Sequence, residues 1–148
     1  MPADTSAELL TSLHTRREYS KALLHLSHEQ KQLIEQDQIA ELIQLIAKKQ
    51  RVIGLLNDLG KAYGGMSVWW RMTRHELSDE MRADCERVIA QTESILAETL
   101  ACEQSGTDVL TERRNETQRE LMELGDVMQD RRDRSARAPS SQFLDVSR

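Results

Sequence analysis

At 148 residues the chain has room for one modest core and excludes a separate catalytic domain. Only 39% of residues are hydrophobic and 3% aromatic, while Ala, Glu, Gln, Leu and Arg abound, which excludes a strand-built fold and indicates long amphipathic helices. The net charge of −5 is uneven, with ten Lys and Arg against eight acids in residues 1–75 and ten against seventeen in 76–148. That acidic second half excludes general binding of nucleic acid, whose phosphates it repels.

From the N-terminus, Thr5 or Ser6 is placed to cap a first helix over 6–35, with Glu8 at its positive end. Leu9, Leu10, Leu13, Tyr19, Leu23, Leu26, Leu33 and Ile34 trace its apolar face. Asp37 follows as an N-cap signal for a second helix over 38–61. Its inward stripe is expected to be Ile39, Leu42, Ile43, Ile46, Ile53, Leu56 and Leu59, with Lys48, Lys49, Gln50 and Arg51 on the wet side. So short a connection makes the two helices an antiparallel hairpin. Gly60, Gly64 and Gly65 then end the second helix. The next segment, from Met66 to Met72, reads as a loop and holds both tryptophans, Trp69 and Trp70. Adjacent exposed tryptophans would make a docking patch for a partner or membrane; buried, they would plug the open end of the hairpin.

From Ser78 to about Arg132 no proline interrupts the chain, and a third helix is expected over 79–132. Met81, Cys85, Val88, Thr92, Ile95, Thr99, Cys102, Gly106 and Val109 alternate steps of four and three, the seam of a helix packed along other helices. The seam fails at Arg113 and Glu116, and a new stripe opens one step over at Thr117, Leu121, Leu124 and Met128. At 1.5 Å per residue such a helix is roughly 80 Å long, more than the hairpin can cover. Its first half therefore anchors the fold, an all-α hairpin plus one long third helix, and its second half is offered to a partner. Candidate partner-binding residues there are Val109, Leu110, Leu121, Leu124 and Met128.

Residues 1–137 are thus expected to form one helical domain, ending in the arginine cluster Arg131, Arg132, Arg134 and Arg137. Residues 138–148 read as a flexible tail whose Ala138, Pro139, Ser140 and Ser141 are linker-like and whose Phe143 and Leu144 form a short recognition segment. Cys85 and Cys102, seventeen positions apart on one helix, would stand about 25 Å apart and cannot pair. They read as small buried hydrophobes of a reducing compartment. With no signal peptide and no membrane span in the sequence, a cytoplasmic location is expected.

Catalytic patterns are lacking. His25 and His28 stand three apart beside Glu29 without the further ligand a zinc site needs, and His14 and His75 are isolated. There is no P-loop, dinucleotide fingerprint, nucleophile elbow or di-iron Glu-x-x-His pair. No enzyme, metal or cofactor is expected.

The run Glu29-Gln30-Lys31-Gln32-Leu33, the polar break at 36–38, and Ile39, Leu42, Ile46, Lys49, Leu55, Leu56 and Leu59 resemble the FlgN-type flagellar export chaperones. Leu96, Leu100, Gly106, Leu110, Leu121 and Leu124 agree with the long last helix of that family, so the resemblance covers about residues 7–130. Trp69-Trp70 and Phe143-Leu144 fall outside the matching features. The resemblance implies a cytoplasmic, all-helical type III secretion chaperone without ATP hydrolysis. It would hold hook-filament junction proteins soluble through its C-terminal part and deliver them to the secretion apparatus, with export-gate components as further partners. The alternative from another class is a structural or adaptor coiled-coil protein that homodimerises through Leu121, Leu124 and Met128.

Overall fold

The structure, a computed structural model, describes residues 2–61 and 64–137, with side chains for 6–61 and 64–136. Among the described residues four α-helices follow one another: α1 Pro2–Glu35, α2 Ile39–Gly60, α3 Met66–Thr73 and α4 Asp79–Arg137, with a 3₁₀ turn Arg74–Glu76 before α4. Among the described residues there is no strand. Two compact units divide the chain at Met1–Thr107 and Asp108–Arg148. The expected tail over 138–148 lies outside the described residues.

In the first unit α1 begins at Pro2, so Thr5 and Ser6 belong to its opening turns and do not cap it. It ends in a left-handed turn. Asp37 adopts φ 56°, Gln38 N–H donates to Leu33 O at 3.0 Å, and Asp37 N–H donates to Ile34 O at 3.2 Å. This pair of bonds closes the C-terminus of α1 as a Schellman motif, with Asp37 in the αL position that short polar residues tolerate. Asp37 was expected to cap α2; instead Gln38 precedes it, without a side-chain cap bond.

The inner face of α2 overlaps the expected one at Leu42, Ile53, Leu56 and Leu59 and is rotated from it by about half a step. Its buried residues are Leu45 and Lys49, and Leu42, Val52, Leu56 and Leu59 on the same line are half-buried. Ile39, Ile43 and Ile46 are exposed, Ile46 by 43%, while Lys49, expected on the wet side, is only 9% exposed. The sequence of α2 is apolar on two adjacent lines, and hydrophobicity alone could not choose between them. The ion pair of Lys49 with Glu103 of α4 decides the rotation.

The expected loop around the tryptophans is α3. Gly64 and Gly65 turn the chain into it at φ 83° and 114°, conformations that L side chains rarely adopt, and Gly65 O accepts from Trp69 N–H at 3.0 Å. Trp69 is buried among Leu9, Leu13, Leu77, Cys85 and Val88, and Trp70 packs half-buried against the same cluster. Both indoles therefore plug the end of the unit where α1 and α4 begin. A bulky side chain suits this place because the neighbouring seam is built from small ones. Ser78 then caps α4, its Oγ accepting from Met81 N–H at 3.2 Å, with Asp79 and Glu80 in the first turn. Arg82 reaches back to donate to the carbonyls of Arg74 at 3.0 Å and Leu77 at 3.3 Å, tying the 3₁₀ turn to the helix.

Along α4 the expected seam holds. Cys85, Val88, Thr92, Thr99, Cys102 and Gly106 are buried, and Met81 and Ile95 are half-buried. Opposite stands α1 with Leu13, Ser20, Leu23, Ser27 and Ile34 buried. Arg17 Nη1 donates to Gln91 Oε1 at 2.8 Å, Ser27 Oγ to Glu103 Oε1 at 2.7 Å, and a Cβ on Gly106 would stand 3.7 Å from Ile34. Residue numbers rise together on both helices, so they run parallel. Hydroxyls of Ser20, Thr92 and Thr99 donate to carbonyls four residues back at 2.8–2.9 Å, which lets them be buried without a partner on another helix.

Candidate functional site

Two groupings stand out. The first is polar and lies inside the Met1–Thr107 unit. Glu103 of α4 accepts from Lys49 of α2 and from Ser27 Oγ of α1 at 2.7 Å, and Gln30 Nε2 of α1 stands 3.4 Å from its other oxygen. Lys49 Nζ also donates to Gln30 Oε1 at 2.7 Å. Burial by itself pushes the Glu103 carboxyl up, but hydrogen bonds from Lys49 and Ser27, with the attraction of the ammonium, outweigh it and hold it below the usual carboxylate range. A carboxylate engaged by these donors is held in its charged form. Its geometry serves to join three helices at one level, fixing their register at the cost of a partly buried charge pair.

The remaining reactive side chains are dispersed. His25 Nε2 pairs with Glu29 at 2.8 Å on α1, whereas His28 Nδ1 meets Cys102 Sγ at 3.6 Å. The two histidines thus face different neighbours. Cys85 is buried, and burial first, then the carboxylates of Asp84 and Glu86, push its thiol up, away from nucleophilic thiolate. Among the described residues no three His, Cys, Asp or Glu stand where they could hold a metal ion. No helix of the described residues is long and apolar enough to cross a membrane.

The second grouping is apolar and lies in the Asp108–Arg148 unit. Leu110, Thr117, Leu121, Leu124 and Met128 keep the 3.5-residue period and fall on one line of α4, all exposed. Leu121 is 62% and Leu124 55% exposed. Val109 is half-buried and sits about 100° round the helix from Leu110, so it borders the stripe rather than belonging to it. Sequence reading overlooked Val127, exposed on the border turn beside Leu124, and Met122, exposed one step to the other side. Their signal was present but off the 3.5-residue line. Phe143 and Leu144 lie outside the described residues.

The charge around this stripe differs from the expectation of an acidic partner helix. Residues 76–107 carry eight acids and two bases, whereas 108–148 carry nine acids and eight bases. The acidity therefore belongs to the half of α4 that packs in the first unit, and the stripe sits in a nearly balanced segment.

No protein-family model, curated protein or solved structure matches this chain.

Proposed function

We propose that this protein is a small cytoplasmic chaperone of the FlgN type, a helical bundle that holds hook-filament junction proteins soluble and presents them to the flagellar secretion apparatus. It acts by binding alone, with no cofactor and no reaction at a residue. The observation that carries the reading is the exposed line Leu110, Leu121, Leu124 and Met128 in a helix whose earlier half buries its own 3.5-residue line. An amphipathic segment of a client can fold against such a line, its alternate turns covering the leucines. Burial of Leu121, Leu124 and Met128 contributes on the order of 1.5 to 3 kcal/mol each before ordering costs, so these side chains anchor a client whose further contacts supply the rest of the affinity.

The test is calorimetry of a hook-filament junction-protein fragment against the full chain and against Leu121→Ala with Leu124→Ala. Affinity is expected to fall at least tenfold while the helical circular dichroism and melting temperature stay in place. Normal binding by the double variant would overturn the reading.

A further inference from the structure

The stripe on the Asp108–Arg148 part of α4 carries a charge pattern that selects among occupants. At 100° per residue, Arg114 lies on the stripe's own face one turn before Thr117, and Arg131 and Arg132 lie on or beside that face one turn after Met128. Arg113 stands next to Arg114 on the edge. The acids Glu112, Glu123, Asp126 and Asp130 lie on the opposite face with Arg119 among them, and Glu120 borders the stripe. Arg134, further round, is paired with Asp130 at 3.1 Å. One face therefore reads base, apolar, base over about 25 Å from Arg114 to Arg131.

Resting on the docking role proposed above, we propose that this face receives an acidic amphipathic helix, one with an apolar seam of two to three turns flanked at both ends by carboxylates about seventeen positions apart. Carboxylates opposite Arg114 and opposite Arg131 and Arg132 form charge-assisted, bidentate pairs, and the leucines between them are covered by the seam.

A second copy of this chain fits the same face badly. In the antiparallel register that sets Leu121 against Leu124, Arg114 meets Arg131 and Arg113 meets Arg132; in a parallel register Arg114 meets its own counterpart. Both arrangements set like charges across the seam, which weighs against them. An anionic membrane fits less well too, because helices that lie in lipid headgroups carry bases on their polar face, and here that face holds Glu112, Glu123, Asp126 and Asp130 against one base, Arg119.

The probes are two synthetic helical peptides of 21 residues with the same leucine seam, one flanked by glutamates and one by lysines, followed by fluorescence anisotropy against the full chain. The glutamate peptide is expected to bind at least tenfold more tightly, with affinity falling as salt rises. Arg114→Glu with Arg131→Glu and Arg132→Glu is expected to reverse that order while leaving the melting temperature unchanged. Equal binding of both peptides, an unreversed order in the variant, tighter binding to phosphatidylglycerol vesicles than to the glutamate peptide, or a dimer in sedimentation of the protein alone each overturns the proposal. If the leucine pair is needed by the junction-protein fragment but the arginine variant leaves the peptide order alone, the charge selection falls and the docking role stands. If the peptide order reverses but the fragment ignores the leucine pair, the arginine bracket stands and the chaperone role falls.

Discussion

The two halves of α4 share a period and differ in what they do with it. Between Met81 and Gly106 the 3.5-residue line is mostly Cys, Val, Thr and Gly, with Met81 and Ile95 half-buried among them, and it faces inward; between Leu110 and Met128 it is mostly Leu and Met, with Arg114 and Thr117 among them, and it is exposed. The order is the reverse of what hydrophobicity alone assigns. Small side chains let helices approach closely, so that many weak contacts and locally satisfied hydroxyls replace a few large apolar groups. Large side chains left outside are a ready surface for a partner. Burial along one line of the helix, rather than its hydrophobicity, thus separates the part that folds from the part available for binding.

The sharpest way to break that contrast is at adjacent positions of α2 and at matched positions of α4. Leu45→Asp is expected to cost more than about 4 kcal/mol, since it sets a charge into the unit's interior, whereas Ile46→Asp next to it costs about 1 kcal/mol or less. Thermal melts of both variants decide the face of α2, and equal losses would mean that the rotation described here is wrong. Trp69→Ala is expected to cost about 3–5 kcal/mol by opening the plugged end, against roughly 0.5 kcal/mol or less for Leu124→Ala. Urea titration of the pair measures the difference.

A smaller effect tests the polar junction. Glu103→Ala leaves the Lys49 ammonium with Gln30 but without its counter-charge and is expected to cost roughly 2 kcal/mol, less than a fully buried pair because the Glu103 side chain is 34% exposed. Since its folded carboxyl is held below the ordinary value, its contribution is complete above about pH 4.3 and is lost as pH falls through the lowered value. Glu103→Gln should flatten that acid limb of the stability curve; an unchanged slope in chemical denaturation between pH 5 and 3 would show that the limb has another source.

Amide exchange sharpens the comparison within one helix. Protection is expected to be strong from 85 to 106 and weak from 114 to 136, where no described side chain is buried and helix propensity with pairs such as Arg134–Asp130 must act alone. Equal protection along α4 would contradict the contrast. The smallest effect is expected at Gly106→Ala. A Cβ there meets Ile34 at ordinary contact distance, so the substitution gains helix propensity of about 0.5–1 kcal/mol without a clash, visible as a modest rise in melting temperature.

Much of this was legible from residues alone. Composition dictated helices. The regular steps of four and three from Met81 to Gly106 identified a buried seam because a period of 3.5 leaves one side of a helix always facing its neighbour. The failure of that seam past Gly106 was equally plain, since Arg113 and Glu116 carry charge. What required the tertiary structure was every choice between near-equivalent options. Two apolar lines of α2 compete, and the partner of Lys49 on a helix 54 residues away selects one. Trp69 and Trp70 suit a loop or a helix, an exposed patch or a plug, and the space left beside Leu9, Leu13 and Val88 selects the last. Asp37 suits an N-cap or a left-handed C-terminus, and the closing bonds from Asp37 and Gln38 N–H to the carbonyls of residues 34 and 33 select the second. Local pattern determines which residues form helices and with what period; the rotation of each helix about its axis depends on long-range pairs, which no local window contains.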